Sequence, residues 1–404
     1  MKTMIVVILI CMLLLFLLKV PVYISMALTG CALMMATSGM KWSILTQYLY
    51  TGTNSFTLLA IPLFLLAAKL MNTGGITKKL FAFCMKVVGW LPGGLGHVNI
   101  LSSVIFAGMS GTAVSDAGGL GAIEIKAMNE NGFDNDFSCC VTAASSTMGP
   151  IIPPSIPLVV YATVSGASVG ALFMAGIVPG IVMALLMMVV VTIYAIKRHY
   201  PRTKFPTFHE FGHALKEGFL PLMAPIILLV GIYGGVFTPT ESAAIVVLYS
   251  LFLDVVVYRE LSLKKFIAIL KETVRDSLTI ALIIAGATFF GYVATRAKIP
   301  QMILTSMTSV VSSKVTLLLI INVFLLIVGC FLETASAITI VVPLILPLLT
   351  AYNINLTQFG IIMVLNLMIG LLTPPFGLVL FVINPFRSNQ FLRSSFSKNL
   401  NIFQ

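Results

Sequence analysis

Apolar runs long enough to cross a bilayer recur along the whole chain. A helix needs about 20 apolar residues to span the hydrocarbon core, and the runs at 4–19, 171–196, 221–236 and 315–331 approach or reach that length. Only 9% of the 404 residues are charged, too few to cover the surface of a soluble domain of this size. Because backbone polar groups in lipid must be paired internally, we predict helices and an all-α polytopic membrane protein.

The first run is predicted to be a retained span rather than a signal peptide. Only Lys2 precedes it as a basic residue, no small-residue cleavage site follows, and Pro21 opens a second apolar stretch. The net charge of +11 fits Lys and Arg concentrated in cytoplasmic loops. No basic tail of the kind that binds nucleic acid is present. The six Cys residues contain no C-x-x-C pair that would indicate a disulfide or zinc framework.

The two halves of the chain share one pattern at a constant offset, which we interpret as an internal repeat. The matching positions are Gly108 with Gly329, Ser115 with Ser336, Gly149 with Gly370, and Pro153-Pro154 with Pro374-Pro375. The predicted first repeat, 1–217, comprises scaffold helices, a hairpin at 95–128, a broken helix at 136–165, a span at 171–196 and a cytoplasmic linker at 197–217. The predicted second repeat, 218–383, comprises scaffold helices, a hairpin at 315–348 and a broken helix at 356–383, followed by an aberrant polar tail at 384–404.

Basic residues indicate that the repeats have opposite orientations. The basic cluster at 78–86 aligns with 299–307, and the cluster at 264–271 aligns with 43–50, and neither aligned segment contains Lys or Arg. Under the positive-inside rule, equivalent positions then lie on opposite sides of the membrane. Inverted repeats are typical of secondary transporters, whose substrate and ion sites lie at the repeat interface.

Two proline-rich runs interrupt apolar stretches that would otherwise span the membrane. They are Met-Gly-Pro-Ile-Ile-Pro-Pro-Ser at 148–155 and Gly-Leu-Leu-Thr-Pro-Pro at 370–375. Proline lacks an N–H and clashes with the preceding turn, so paired prolines end a helix. Unwound backbone at membrane depth is tolerated only against protein or a wet cavity. There it offers carbonyls to a cation and helix N-termini to an anion.

Small and hydroxylated residues mark two further segments as re-entrant hairpins with tips at 110–115 and 333–336. Their oxygens suit a hard cation such as Na⁺. No residue is predicted to be catalytic, and no metal beyond Na⁺ is expected. The candidates for binding substrate or ion are Ser110, Gly111, Thr112, Ser115, Asp116, Ser145, Ser146, Gly149, Pro150, Pro153, Pro154, Ser155, Glu333, Thr334, Ser336, Asn366, Gly370, Thr373, Pro374 and Pro375.

Structural roles remain open as alternatives for these residues. Gly, Ser and Thr are common where transmembrane helices pack closely. Ionisable groups within spans are functional candidates by default. However, Asp116 could instead cap the returning arm of its hairpin, and Glu333 could hold its tip closed through hydrogen bonds.

The run His209-Glu210-Phe211-Gly212-His213 matches the H-E-x-x-H pattern of zinc proteases, in which two His residues bind the metal and Glu is the base. A membrane metalloprotease is therefore an alternative from another class. The run lies in a short polar connector after Pro206, contains a Gly, and has no acidic third ligand at a recognisable spacing. An amphipathic interfacial segment also accounts for it, so we predict that the chain is not an enzyme.

The stretches 108–123, 143–162 and 373–380 resemble the large membrane subunit, the DctM type, of tripartite ATP-independent periplasmic (TRAP) transporters. The Gly-Pro-Ile-Ile-Pro-Pro-Ser run is the most specific part of this resemblance, which extends to about Ile383. It implies an elevator-type ion-transporter fold in the bacterial inner membrane. On this chain the resemblance implies hairpin tips at 110–115 and 333–336, and unwound segments at 145–155 and 366–377.

The resemblance also implies partners and a coupling ion. Family members work with a small four-helix membrane subunit of the DctQ type and a periplasmic substrate-binding protein of the DctP type. They use a Na⁺ gradient to import organic acids such as C4-dicarboxylates, sialic acid and sugar acids, with no other cofactor. A stand-alone Na⁺/dicarboxylate symporter of similar fold stays open as a second alternative.

The second half departs from the family pattern at its end. After Ile383 the chain continues with Asn384-Pro385 into a Ser/Asn-rich tail, whereas the first half continues into the span at 171–196. Family members usually carry the corresponding last span. A frameshift or truncation is therefore the expected explanation, and restoring a terminal span is expected to raise stability in the membrane.

Overall fold

The computed structural model describes residues 2–18, 20–37, 39, 42–72, 74–308, 311, 313–374 and 377–384. Within these ranges the chain is helical and contains no β-strand. The helices of the first half are α1 (Lys2–Leu17), α2 (Val22–Thr37), α3 (Trp42–Thr53), α4 (Ala60–Met71), α5 (Gly74–Val88), α6 (Gly94–Ser110), α7 (Ala113–Gly118), α8 (Leu120–Glu130), α9 (Asn135–Ser146), α10 (Ile156–Ser165) and α11 (Val169–Arg198). Those of the second half are α12 (Phe208–Tyr233), α13 (Pro239–Phe252), α14 (Leu263–Arg296), α15 (Ile299–Thr308), α16 (Lys314–Phe331), α17 (Thr334–Ala351), α18 (Leu356–Leu371) and α19 (Leu378–Ile383).

Six helices in the described ranges are long and apolar enough to cross a membrane: α11, α12, α13 with the π-helical turn Leu253–Val257 that continues it, α14, α16 and α17. A seventh is obtained if α3 and α4, which meet at a bend of 54°, count as one span. The chain is therefore a polytopic helical membrane protein, as its composition predicts. The apolar run at 4–19 corresponds to α1, which has 16 residues.

Side-chain caps fix where many of these helices begin. Thr207 and Glu210 form a capping box at the start of α12, and Thr238 and Glu241 form a second one at the start of α13. In each box the hydroxyl accepts from the N–H of the Glu, and the carboxylate accepts from the N–H of the Thr, so two otherwise unpaired donors are satisfied. The polar connectors therefore determine the helix starts, while apolar length determines the helix bodies.

Several helix ends in the two halves follow the offset that relates Gly108 to Gly329. Phe331 at the end of α16 is the equivalent of Ser110 at the end of α6. The first residues of α17 and α18 are likewise the equivalents of those of α7 and α9. One difference is a kink between α7 and α8 at Gly119, where a Cβ would lie 2.3 Å from the Asn72 side chain. The residues aligned with this kink are helical in α17, which is continuous.

Equivalent helices also make equivalent contacts. Helix α2 packs on α14 as α4 packs on α13, and α6 packs on α9 as α16 packs on α18. Between the halves, α7 packs on α19 and α10 packs on α17. The Tyr161 hydroxyl of α10 donates to the carbonyl of Leu356, 2.8 Å away in the other half, and the Tyr161 side chain is buried. The helix breaks therefore lie where the two halves meet.

Ion pairs draw the basic segments to one face of the molecule. Lys69 at the end of α4 lies 2.6 Å from Asp276 of α14, and Lys86 of α5 lies 3.2 Å from Glu210 of α12. The three basic clusters that include or follow the ends of α4, α11 and α13 thus approach one another. This arrangement is the one expected if all three face the same aqueous compartment.

A polar cluster joins the loop before α9 to the end of α11. The Asp134 carboxylate accepts hydrogen bonds from the Tyr200 hydroxyl at 2.6 Å and from the Arg198 guanidinium at 2.5 Å. The bond from Tyr200, followed by that from Arg198, lowers the pKa of Asp134 below its ordinary value. Partial burial, followed by the contact with Asp134, raises the pKa of Tyr200.

Three of the sequence predictions fall wholly or partly outside the described residues. Pro375 and the tail from residue 385 onward are not among them, and neither are the side-chain surroundings of Ser110. The start of the predicted tail, Asn384, follows α19 directly.

Candidate functional site

The first helix break, between α6 and α7, consists of two residues. Gly111 adopts a left-handed conformation with φ of 62°, which a residue with a Cβ rarely adopts. Thr112 is extended and caps α7, since its hydroxyl accepts from the N–H of Ser115 at 3.3 Å. A glycine followed by a capping threonine thus ends one helix and starts the next within the predicted tip at 110–115.

This break contacts the turn between α9 and α10 directly. The N–H of Ile156 donates to the carbonyl of Gly111 at 3.3 Å, and a Cβ on Gly111 would lie 2.8 Å from the carbonyl oxygen of Pro154. Ser155 caps α10 by accepting from the N–H of Leu158, and its hydroxyl donates to the carbonyl of Pro150. Gly111 is therefore required both for its conformation and for the close approach of two irregular backbone segments.

Asp116 faces this junction from the first turn of α7. It is only 2% exposed, and its Oδ2 lies 3.3 Å from the point that a Cβ on Gly149 would occupy. The same point lies 3.4 Å from the carbonyl oxygen of Ser146. The suggestion that Asp116 caps the returning arm is wrong, because Thr112 holds the capping position and Asp116 lies within the helix that it starts. The carboxylate instead lies beside the backbone of the neighbouring break.

In the second half, breaks lie between α16 and α17 and after α18, at the positions that the repeat offset makes equivalent to the breaks of the first half. Glu333, the equivalent of Thr112 in the second half, caps α17 by accepting from the N–H groups of Ala335 at 3.0 Å and Ser336 at 3.2 Å. The sequence analysis considered, as an alternative to binding, that Glu333 holds its tip through hydrogen bonds, and these two bonds are of that kind. The adjacent helices cross at Gly329 and Gly370, where a Cβ on Gly370 would lie 2.5 Å from the carbonyl carbon of Gly329. Thr334 and Ser336, in the first turn of α17, are buried.

Other predicted residues form hydrogen bonds within or next to their own helix, or to a neighbouring helix. Ser146 donates to the carbonyl of Ala143 at 2.9 Å, and Thr373 donates to the carbonyl of Ile369 at 2.8 Å, each within or next to its own helix. Asn366 of α18 donates to the side-chain oxygen of Asn322 on α16. Gly149, Pro150, Pro153 and Pro154 are buried in the first turn, whereas Pro374 is exposed in the second.

A buried polar network beneath the first break was missed by the sequence reasoning. Asn99 of α6 donates to the Thr142 hydroxyl at 2.7 Å and accepts from Ser145 at 2.6 Å. Ser102 donates to Glu124, a carboxylate that is 1% exposed. An ionisable group inside an apolar segment was the available signal for Glu124. Ser145, which was predicted to bind substrate or ion, belongs to this network.

Oxygen atoms predominate beside Gly149 at the first break. The atoms next to Gly149 are a carboxylate oxygen from Asp116 and a carbonyl oxygen from Ser146, with the backbone of Thr112 on the same side. Oxygen donors that include a carboxylate suit Na⁺, whereas transition metals prefer nitrogen or sulfur. Among the described residues, no group of three or more His, Cys, Asp or Glu side chains is placed to bind a metal.

The H-E-x-x-H run occupies the first turns of α12. Glu210 is the carboxylate of the capping box and also accepts from Lys86 at 3.2 Å. His209 and His213 are exposed. Glu210 therefore has a complete structural role as a helix cap.

A polytopic helical bundle whose helices are broken where its two halves are in contact has a construction that is common among secondary transporters. The model for the family "Tripartite ATP-independent periplasmic transporter, DctM component" matches residues 9–391, and the chain belongs to this family. The sialic acid TRAP transporter large permease protein of Vibrio cholerae is 43% identical over 364 residues, which are 90% of this chain and 85% of that protein.

Two further relatives show the range of the family. The C4-dicarboxylate TRAP transporter large permease protein of Vibrio cholerae is 36% identical, with 90% of this chain and 85% of that protein covered. The isethionate TRAP transporter permease protein DctMQ of Oleidesulfovibrio alaskensis is 37% identical over 90% of this chain but only 57% of its own length. The chain is thus a transporter permease and not an enzyme, and the metalloprotease alternative is wrong.

Proposed function

We propose that this chain is the large permease subunit that imports an organic acid across the bacterial inner membrane. The contact of Gly111, Thr112 and Asp116 with the turn that contains Gly149 carries this proposal. It brings backbone and carboxylate oxygens together beside a helix break, and within a membrane such irregular backbone is tolerated only against protein or a wet cavity. The names of the two Vibrio cholerae relatives point to sialic acid or a C4-dicarboxylate as the substrate class.

The same donors support the proposal of coupling to Na⁺. Asp116 is buried in the first turn of α7, and its carboxylate lies on the same side of Gly149 as the carbonyl oxygen of Ser146. A carboxylate oxygen and a carbonyl oxygen in one buried region create a negative potential there, and a cation of low charge complements it. Na⁺ supplies this positive charge and prepares the site for the carboxylate of the substrate.

The substrate anion is bound by helix N-termini and hydroxyls in this proposal. Helix α10 begins at Ile156, directly after its cap Ser155, and residues 315–384 contain no Lys or Arg. The N–H groups of Ile156 and Leu158 are already bonded to Gly111 and Ser155, so the partial positive charge of the helix end, rather than a free N–H, favours the anion at α10. Direct pairing with a buried Arg is therefore not part of this mechanism.

Transport proceeds by an elevator movement of an inverted repeat. The moving body contains the two re-entrant hairpins, α6–α8 and α16–α17, together with the broken helices α9–α10 and α18–α19. The paired contacts of α7 with α19 and α10 with α17 support movement as one unit. The scaffold consists of the helices around α2, α4, α13 and α14, which pack on one another in equivalent pairs.

Two partners complete the transporter. We propose a small four-helix membrane subunit of the DctQ type and a periplasmic binding protein of the DctP type. The name DctMQ of the longer isethionate relative supports the first, because this chain covers only 57% of that protein. The description of the family as tripartite and periplasmic supports both.

Proteoliposome uptake with and without an inward Na⁺ gradient tests the coupling. Wild-type protein, reconstituted with both partners, is expected to take up labelled substrate only with the gradient. Asp116→Asn is expected to abolish the stimulation of uptake by the Na⁺ gradient, because the substitution removes the carboxylate charge at nearly constant side-chain volume. Glu130→Gln is the matched control, since Glu130 is an exposed carboxylate of the same hairpin that pairs with Lys126. Equal wild-type uptake under both conditions would reject Na⁺ coupling.

The binding protein separates this function from the stand-alone symporter. Omitting it from the assay is expected to abolish uptake with or without the gradient. Full Na⁺-driven uptake without it would reject the tripartite assignment while leaving the coupling intact.

A further inference from the structure

A groove with a volume of about 350 Å³ lies between α9 and α11. Its walls are mainly apolar and include Val141 and Ala144 of α9 and Val190 of α11. Among the described residues that line it, only Asp136 and Arg198 are charged. Both lie at the same end, because α9 begins where α11 ends. The groove is therefore apolar along its length and charged at one end.

The groove opens to the outside of the bundle and has the depth of one membrane leaflet. Val190 is 52% exposed and Tyr194 is 46% exposed, so its α11 wall is not covered by other parts of the described chain. Its residues run from Asp136 to Ala144 on α9 and from Met187 to Arg198 on α11. At 1.5 Å per residue these stretches are roughly 12 and 16 Å long. Half of a hydrocarbon core about 30 Å thick is of the same length.

The charged end has an excess of basic groups. Asp134 and Asp136 are the acidic residues near it. The exposed basic residues at the end of α11 and just after it are Lys197, Arg198, Arg202 and Lys204. Basic clusters beside a span attract anionic lipid headgroups, and aromatic residues such as Tyr194 are enriched at this depth.

Arg198 retains hydrogen-bonding capacity for a headgroup. Its Nη1 donates to Asp134 and, at 3.3 Å, to the Tyr200 hydroxyl. Its Nε and Nη2 make no hydrogen bond to the described residues. A guanidinium has five N–H donors in a rigid fork that matches phosphate oxygens. Asp134 therefore orients the guanidinium and leaves part of the fork available.

We propose that this groove binds one anionic phospholipid, with an acyl chain between α9 and α11 and the phosphate at Arg198. The occupant is a lipid of the leaflet on the Arg198 side. Its tail fills the apolar length, and its charge complements the basic end. The lipid bridges a helix of the broken pair α9–α10 and the long helix α11, so it stabilises one relative position of these elements.

Protection of Cys140 from alkylation tests the proposal. Cys140 lines the groove and is exposed, and Cys11 on α1 is also exposed but lies elsewhere. Two full-length variants are prepared in detergent, each retaining only one of these cysteines. The rate of N-ethylmaleimide modification is measured with phosphatidylglycerol or phosphatidylcholine. At a lipid concentration twice the dissociation constant, phosphatidylglycerol is expected to slow modification of Cys140 about threefold. Cys11 is expected to be unaffected by either lipid.

Charge variants then test the contribution of Arg198. Arg198→Gln in the Cys140 protein is expected to remove the protection, while Arg275→Gln, at an exposed position of α14, keeps it. An unchanged modification rate without lipid shows that the Arg198→Gln groove is intact. Equal protection by both lipids would mean non-specific association and overturn the proposal. Protection that persists in Arg198→Gln, or no protection by phosphatidylglycerol, would also overturn it.

Discussion

Substitution of Gly370 by Ala is expected to destabilise the crossing of α16 and α18. The added Cβ would lie 2.5 Å from the carbonyl carbon and 2.6 Å from the Cα of Gly329, and 3.0 Å from the backbone nitrogen of Cys330. All three contacts are with backbone atoms, which cannot move aside as a flexible side chain can. Ordinary contact begins at 3.4 Å, so the two helices must separate by roughly 1 Å.

Overpacking of this kind typically costs about 1–3 kcal/mol. Ala also favours a helix over Gly by up to about 1 kcal/mol, which partly offsets the loss. Gly212→Ala is the matched control, because Gly212 lies in α12 with no atom within 4 Å of an added Cβ. The difference between the two variants cancels the helix-propensity gain and isolates the clash.

The free energy of unfolding can be measured by titration with sodium dodecyl sulfate in mixed micelles. Gly370→Ala is expected to be less stable than Gly212→Ala by about 1–3 kcal/mol. Na⁺-driven uptake is expected to fall as well, because Gly370 contacts the residues just before the Glu333 cap. Equal stability of the two variants would refute the inferred backbone contact.

Three further predictions concern single polar residues. Asp134→Asn is expected to lower stability at pH 7 by less than about 1 kcal/mol, because the group is exposed. The pKa of Asp134 is lowered in the folded protein, so the stability difference between wild type and Asp134→Asn should be present above the ordinary pKa of about 3.9. It should vanish as the pH falls through the pKa of the folded state. Thermal unfolding of both proteins at several pH values measures this. Glu333→Ala, by removal of a helix cap, is expected to cost about 0.5–2 kcal/mol in the detergent titration, and an unchanged midpoint would contradict the capping role. His209→Ala is expected to leave uptake and the zinc content of the purified protein unchanged. Zinc that is bound by the wild type and lost in the variant would contradict this prediction.

Local signals were sufficient to predict several of the helices and some of the breaks between them. Apolar length identified α11, α12 and α16, because a span of this length depends on the segment's own composition. Gly111 and the prolines at 150–154 marked breaks, because they restrict the backbone wherever they occur. The constant offset between the two halves likewise needed only the sequence.

Contacts between distant segments could not be read from such signals. The sequence suggested Asp116 as a possible cap, yet Thr112 caps α7, because the backbone conformation at Gly111 decides which side chain reaches the free N–H groups. The hydrogen bond from Ser102 to Glu124 could not be predicted, because the two residues lie on different helices. Capping geometry and hydrogen bonds across helices are fixed only when the segments pack.

The repeated apolar spans and paired breaks were thus determined by the amino-acid sequence itself, since they arise from hydrophobic length and from the backbone limits of Gly and Pro. Tertiary structure alone decided that the Asp116 carboxylate lies against Gly149 and that Gly329 lies against Gly370. It also placed Arg198 at the end of a groove formed with α9. These contacts depend on the close packing of helices far apart in the chain, which local patterns do not encode.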